Sequence, residues 1–144
     1  MLFGRKKRLI ARLLVVEDEP LIAFDNEYIL TDAGYEIVAT VDRVADALAV
    51  LGSGKDVDLV VADVNLADGS GIDVARAASE AGVPVLFVTG NCPVEATELA
   101  AGCLAKPYQP RDLIGAIGAI DSQLAGRKPK RLPTGFRLFG AAVH

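Results

Sequence analysis

Five short runs of aliphatic residues recur along the chain, and stretches with helical spacing separate them. Each run is apolar throughout, which is typical of a strand buried on both faces of a parallel sheet. The runs comprise residues 13–16, 37–41, 59–62, 85–88 and 103–105. Parallel strands joined by right-handed crossovers carry helices on both faces of their sheet. The alternation therefore predicts an α/β fold with a doubly wound, five-stranded parallel sheet and five helices.

Prolines and glycines mark the expected ends of these helices. First-turn positions are predicted for Pro20, Pro93 and Pro110, because proline has no amide hydrogen to lose there. The same Ala-Gly step follows three helical stretches, at residues 33–34, 81–82 and 101–102. Glycine readily adopts the left-handed conformation that ends a helix. We therefore expect three of the helices to end at these steps.

The ionisable residues are unevenly distributed along the chain. All nineteen acidic residues lie between Glu17 and Asp121, whereas ten of the fifteen Lys and Arg residues lie outside that stretch. We therefore divide the chain into a basic N-terminal extension (1–11), a folded domain (12–124) and a basic, flexible C-terminal tail (125–144). An acidic folded domain argues against direct binding of DNA or RNA.

The two basic ends have two interpretations. They either make weak contact with an anionic membrane surface or an acidic protein, or they are disordered solubilising segments. No run approaches the roughly 18 apolar residues of a membrane span, and no secretory signal follows the N-terminal charges. Cys92 and Cys103 have no second pair to complete a zinc site, so we expect reduced thiols. These features predict a cytoplasmic protein.

Charged or hydroxyl side chains directly follow four of the five apolar runs. The first run leads into Glu17 and Asp18, the third into Asp63, the fourth into Thr89 and the fifth into Lys106. In open α/β sheets, ligands bind beyond the carboxyl ends of the strands. If the first and fourth strands flank the third, Asp18 and Thr89 each lie about one strand spacing, ~4.8 Å, from Asp63. Lys106 follows the fifth strand and lies farther from Asp63, and its long side chain would span most of that larger distance.

Three neighbouring carboxylates favour a divalent cation, since like charges oppose ionisation when they are close. Mg²⁺ is the expected ion because it takes hard oxygen ligands. The set suits attack of an Asp63 oxygen on phosphorus, with Thr89 and Lys106 taking up charge on the phosphoryl oxygens. We therefore predict Asp63 as the phosphoacceptor. Asp18 is predicted to bind the metal directly, and Glu17 directly or through water.

Four motifs of this chain resemble those of the receiver domains of bacterial response regulators. They are Leu-Val-Val-Glu-Asp-Glu-Pro at 14–20, Asp-Val-Asn-Leu-Ala-Asp-Gly-Ser-Gly at 63–71, Phe-Val-Thr-Gly at 87–90 and Ala-Lys-Pro-Tyr at 105–108. The resemblance covers about residues 12–123. It implies a flavodoxin-like fold with the strand order 2-1-3-4-5.

The resemblance also implies roles for individual residues. It makes Asp63 the phosphoacceptor, and Thr89 and Lys106 the phosphoryl contacts. The ligands that it implies for Mg²⁺ are Glu17, Asp18, Asp63 and the backbone carbonyl of Asn65. Gly90 and Pro107 are implied as supporting residues beside the threonine and the lysine.

One position departs from the family pattern. Receivers generally carry a switch aromatic three residues before the lysine of the fifth strand, where this chain has Cys103. The Phe-Val-Thr-Gly run is similar to a receiver subgroup of alphaproteobacterial stress and light signalling, which has Phe-x-Thr-Gly and no switch aromatic. The resemblance therefore implies phosphorylation without the usual aromatic readout.

The resemblance implies a stand-alone response regulator of a two-component phosphorelay, and not an enzyme. Its phosphodonor would be a histidine kinase or a histidine phosphotransferase, and its phosphorylated form would act through protein contacts as an intermediate, a phosphate sink or an adaptor. One alternative is a receiver-like module that binds partners without phosphorylation. A phosphohydrolase of the haloacid dehalogenase type fits less well, because those enzymes place a second aspartate where Asn65 stands.

Overall fold

The computed structural model describes residues 8–129 and 131–140 and contains eight strands. They are β1 (Arg12–Val16), β2 (Glu36–Val41), β3 (Leu59–Ala62), β4 (Asn65–Leu66), β5 (Gly69–Ser70), β6 (Val85–Thr89), β7 (Gly102–Ala105) and β8 (Phe136–Leu138). Six of them form one sheet in the order β2-β1-β3-β6-β7-β8, while β4 and β5 form a small antiparallel ribbon. The first five strands of the sheet are parallel neighbours. The predicted order 2-1-3-4-5 and the doubly wound α/β fold are thus confirmed.

Five helices cover the two faces of this sheet. They are α1 (Pro20–Asp32), α2 (Val44–Leu51), α3 (Gly71–Glu80), α4 (Ala96–Leu99) and α5 (Pro110–Leu124). Alternate strand residues point to opposite faces, so Leu13 and Val15 pack with α1 and α5, whereas Leu14 and Val16 pack with α2, α3 and α4. Every strand predicted from an apolar run is present with bounds that differ by at most one residue.

The predicted helix ends are correct in four places and wrong in two. Pro20 and Pro110 begin α1 and α5, and Gly34 and Gly82 take positive φ angles of 96° and 76° after α1 and α3. The prediction that Pro93 begins a helix is wrong, because α4 is a single turn that begins only at Ala96. The step at residues 101–102 is also wrong: α4 ends at Leu99, and Gly102 already belongs to β7.

The ordered fold begins before residue 12. Ile10 is fully buried, and the backbone N–H groups of Leu9 and Ile10 each donate to the carboxylate of Asp121 at 3.1 Å. Arg8 lies over the ring of Tyr35, with 4.4 Å between its guanidinium carbon and the ring centroid. Residues 8–11 are therefore part of the folded domain, which corrects the predicted boundary. The rest of the predicted N-terminal extension, residues 1–7, lies outside the described residues.

Asp121→Ala is expected to lower the free energy of unfolding by about 3 kcal/mol, because two backbone donors lose a charged acceptor in a buried site. Asp121 is only 6% exposed, so water cannot replace the carboxylate without opening the packing around Ile10. Urea unfolding measures the change. The exposed Glu80, at the end of α3, provides the matched control as Glu80→Ala, and equal stability of the two variants would contradict the assignment.

The chain after α5 returns to the sheet, so the prediction of a flexible tail is wrong for residues 131–140. Strand β8 pairs antiparallel with β7 and closes that edge of the sheet. Two glycines make room for it: a Cβ on Gly102 would lie 2.6 Å from the Phe136 ring, and one on Gly115 would lie 2.9 Å from Pro133. Residue 130 and residues 141–144 lie outside the described part of the chain.

None of the helices within residues 8–129 and 131–140 has the length and apolar character to cross a membrane. The predicted contact of the basic ends with an anionic surface stays a prediction. Two of the basic side chains have intramolecular roles instead, since Arg8 stacks on Tyr35 and Arg137 lies 5.3 Å from the centroid of the Phe139 ring.

Candidate phosphoacceptor site

The side chains singled out at the strand ends come together at one edge of the sheet. Glu17 and Asp18 follow β1, Asp63 follows β3, Thr89 ends β6 and Lys106 follows β7. The Lys106 ammonium lies 2.8 Å from Asp63 Oδ2 and 2.9 Å from Glu17 Oε1. The lysine therefore crosses two strand positions to reach the central aspartate.

The three carboxylates form a donor set that fits a divalent cation. Glu17, Asp18 and Asp63 each offer an oxygen, and these oxygens all lie within 4.8 Å of one another. Glu17 and Asp63 are 2% and 6% exposed, and Asp18 is partly exposed, so the cluster opens to solvent on the Asp18 side. Hard carboxylate oxygens at a partly open position match the preference of Mg²⁺, which keeps several of its waters.

Burial and pairing act in opposite directions on the charges of this cluster. Burial raises the pKa of Glu17, although its hydrogen bonds to Lys106 and to the backbone of Glu19 oppose that change. Burial also lowers the pKa of Lys106, but its hydrogen bonds to Asp63 and Glu17 outweigh burial and raise the pKa above its usual value. Lys106 is therefore firmly protonated and supplies one positive charge to three carboxylates.

Thr89 and Asn65 flank Asp63 in different ways. The Thr89 side chain is buried, and its hydroxyl oxygen has no hydrogen-bond partner among the residues that the structure describes. The backbone of Thr89 accepts a hydrogen bond of 2.9 Å from the Lys106 N–H. The backbone N–H of Asn65 donates to Asp63 Oδ1 at 3.2 Å. The buried Thr89 hydroxyl is thus a hydrogen-bond donor without an acceptor, and it lies at the end of the strand next to the one that leads to Asp63.

The segment between Asp63 and α3 is shaped by its own backbone and caps. The β4–β5 ribbon turns the chain, and the Ser70 hydroxyl caps α3 by accepting from the Ile72 N–H at 3.0 Å. A Cβ on Gly71 would overlap the carbonyl oxygen of Asp63. Gly71 therefore lets α3 start directly behind Asp63. Sequence reasoning missed this role, because a glycine at this place also fits an ordinary turn.

Asp68 is a second residue whose local role the sequence did not show. Its carboxylate accepts from the N–H groups of Val44 and Ala45 at 2.7 and 3.2 Å, which caps the start of α2. The bond from Val44 is the main cause of a lowered pKa for Asp68. The loop after Asp63 is thereby tied to the neighbouring helix.

The three predicted supporting residues have different surroundings. Gly90 is exposed, and a Cβ there would meet nothing within 4 Å, so space does not require a glycine. Pro107 follows Lys106 through a cis peptide bond. Cys103 is buried beside Cys92, and both are free thiols. Burial, followed by hydrogen bonding to Cys92, raises the pKa of the Cys103 thiol.

A groove of about 830 Å³ lies between α1 and α5, next to the site. Lys106, Pro107 and Tyr108 form the end of the groove nearest Asp63. The Tyr108 hydroxyl donates to the side chain of the buried Asn26 at 2.6 Å, which joins the loop after β7 to α1. The outer surface of α1 exposes three large apolar side chains, Leu21, Phe24 and Tyr28.

Two curated relatives are regulators that are longer than this chain. The phyllosphere-induced regulator PhyR of Methylorubrum extorquens is 31% identical over 83% of this chain and 47% of its own length. The transcriptional regulatory protein PdtaR of Mycobacterium tuberculosis is 37% identical over 74% of this chain and 54% of its own length. The chain thus spans about half the length of the curated relatives that it matches.

Solved structures and a family profile agree with that likeness. A response regulator receiver protein from Sinorhizobium medicae superposes with a TM-score of 0.67 and 30% identity, covering 81% of this chain and 95% of the other. A CheY-like receiver domain protein from Methanospirillum hungatei gives a TM-score of 0.71 and 26% identity, covering 81% of this chain and 98% of the other. The profile of the response regulator receiver domain matches residues 13–118. The chain therefore belongs to the response regulator receiver domain family.

Proposed function

We propose that this chain is the receiver of a response regulator and accepts a phosphoryl group on Asp63 from a histidine kinase or a histidine phosphotransferase. The observation that carries the proposal is the bond of 2.8 Å from Lys106 to Asp63 within a cluster of three carboxylates. A partly buried ammonium in this position stabilises negative charge on a group attached to Asp63. Receivers as a family are phosphoacceptors in signalling, and the regulator names of the relatives are consistent with that use.

The proposed reaction transfers one phosphoryl group and leaves the rest of the donor as the leaving group. A carboxylate oxygen of Asp63 forms a bond to phosphorus while the bond from phosphorus to the donor nitrogen breaks, and the product is an acyl phosphate. Lys106 donates to a phosphoryl oxygen, and the unpaired hydroxyl of Thr89 provides a second donor. Later attack of water on the acyl phosphate returns free phosphate and the carboxylate.

Glu17, Asp18, Asp63 and the backbone carbonyl of Asn65 are the groups that would hold Mg²⁺ in this site. The ion supplies positive charge that offsets the negative charge of the phosphoryl oxygens. Lys106 alone does not balance the three carboxylates, so the site has capacity for that charge.

The apolar side of α1 supports a protein as the phosphodonor. Leu21, Phe24 and Tyr28 are 80%, 68% and 68% exposed. A group of exposed apolar side chains of this kind is typical of a surface that binds another protein. Tyr28 also lines the groove that ends at Lys106, so a partner seated on this surface would bring its phosphorylated group towards Asp63. The chain could act as a phosphorelay intermediate, a phosphate sink or an adaptor, and each of these roles requires this same transfer.

Incubation with a small phosphodonor and Mg²⁺ is expected to add one phosphoryl group, seen as a mass increase of the intact chain. Chelation of the ion should lower incorporation by more than tenfold, because the charge of the carboxylates then opposes an anionic donor. Hydroxylamine should remove the group, since it cleaves acyl phosphates. Incorporation that survives both chelation and hydroxylamine would contradict an aspartyl phosphate at this site.

A further inference from the structure

The residues at 131–140, here called the C-terminal segment, are bonded to the fold along their backbone. The Ala105 N–H donates to Gly135 O at 2.9 Å, and the Phe139 N–H donates to Ala101 O at 2.8 Å. The side chain of Gln123, on α5, donates to Phe139 O at 2.9 Å. The segment is thus fixed at both ends of β8 and along the outer edge of β7.

Two rings anchor the segment on opposite faces of the sheet. Phe136 and Phe139 are 7% and 8% exposed, and Phe136 packs into the core shared by α1 and α5. Phe139 packs into the other core, which includes Cys103 of β7 and Ala96 of α4, with Cys92 at its margin. The seat of Phe139, meaning the core that holds its ring, is therefore also packed against by Cys92 of the loop that follows Thr89.

This loop connects the seat to the acceptor site. Cys92 lies three residues beyond Thr89, whose hydroxyl is buried without a partner in the described structure. A phosphoryl group on Asp63 offers that hydroxyl an acceptor, and bond formation draws Thr89 and the following loop towards Asp63. Displacement of a packed neighbour by even 0.5–1 Å forfeits a quarter to a half of the contact energy. Movement of the loop therefore disturbs the core that holds the Phe139 ring on the side of Cys92.

The C-terminal segment is also short enough to detach from the sheet when the loop after Thr89 moves. Strand β8 has three residues and is bonded to the sheet on one side only. Ordering each residue carries an entropic cost, and this cost opposes the docking of a segment that is held by two rings and a few backbone bonds. The chain has no aromatic side chain at the Cys103 position of β7, whereas Phe139 supplies an aromatic ring to the same core.

We propose that the C-terminal segment is a switch element, whose docking on β7 and α4 weakens when Asp63 is phosphorylated. Its release uncovers the outer edge of β7, where free backbone groups can pair with an extended strand of a partner protein. This inference rests on the proposed phosphorylation of Asp63. Phe139 acts as a positioning residue that transmits the state of the loop after Thr89.

Hydrogen exchange of the full chain, before and after treatment with a small phosphodonor, tests the proposal. We expect the amides of Phe139 and Ala105 to exchange at least tenfold faster once intact mass shows one phosphoryl group on most chains. Amides of β1 serve as the internal reference. Unchanged or slower exchange in fully phosphorylated chain would overturn the switch and leave the proposed function standing. If no mass is gained, the proposed function fails and the switch falls with it.

Coupling must also operate in the reverse direction, because linkage between two equilibria is reciprocal. Phe139→Ala removes the anchor, and Gly102→Ala places a methyl group against the Phe136 ring without changing the segment itself. Both variants are expected to bind beryllofluoride, a phosphoryl mimic, at least threefold more tightly than the unmodified chain. Leu132→Ala is the control, since Leu132 lies in the same segment but is 44% exposed. Equal affinities in all four proteins would overturn the proposal, and Gly102→Ala remains as a test if Phe139→Ala does not fold.

Discussion

Asp63→Asn is expected to abolish incorporation of the phosphoryl group while leaving the fold intact. The amide has nearly the same shape as the carboxylate, so Asn can keep the N–H bond from Asn65 that holds the side chain in place. An amide oxygen is a far poorer nucleophile than a carboxylate and does not form a persistent acyl phosphate. Loss of reactivity at the central residue should lower the labelling rate by more than a thousandfold, which intact mass measures as no addition.

Asp18 provides a second possible acceptor, so the Asp63→Asn experiment can also show where any remaining label is attached. It is the most open of the three clustered carboxylates and lies within reach of the same donor. Residual labelling in Asp63→Asn, mapped to Asp18 by peptide mass, would show that the edge of the sheet, and not Asp63 alone, selects the acceptor. Asp56→Asn, at an exposed loop position, controls for the loss of one negative charge and should label at the normal rate.

The parallel sheet and its polar edge were predictable because both depend on local patterns. Short runs such as 85–88 are apolar throughout, and this composition is typical of a strand that is covered on both faces. Parallel strands then bring their carboxyl ends to one edge, which places Asp63 and Lys106 together without any knowledge of their contacts. The roles of these two residues in catalysis stay predictions that the geometry supports.

The additions at the ends of the chain were not predictable in the same way. Residues 125–135 are rich in Gly, Pro and basic side chains, a composition typical of a flexible segment. The order of β8 comes from contacts with distant residues, since the Phe136 ring fits only because Gly102 has no side chain. Ile10 is similar: it is held by Asp121, more than a hundred residues away. Neither pairing leaves a periodic signal in the sequence.

The charge balance of the site predicts two roles for Lys106. Its ammonium group is 2.8–2.9 Å from Asp63 and Glu17, whose side chains are only 8% and 1% exposed. Without a metal ion, it is the cation that pairs with both buried carboxylates. With a phosphoryl group present, we expect it to donate to that group. Removal of the lysine should therefore affect stability and reaction rate through the same charge.

Lys106→Met is expected to lower the free energy of unfolding by about 3 kcal/mol without Mg²⁺, because loss of one partner leaves buried carboxylates unpaired. Methionine keeps most of the apolar stem, so packing changes little. Saturating Mg²⁺ should restore most of that stability, since the ion replaces the missing positive charge, whereas the rate of phosphorylation should stay roughly 100-fold lower, because the donor to the phosphoryl oxygen is still absent. Urea unfolding with and without the ion, together with intact-mass kinetics, separates the two effects. Lys55→Met, at an exposed position, is the control. A variant that Mg²⁺ restores in both stability and rate would show that Lys106 only neutralises the carboxylates.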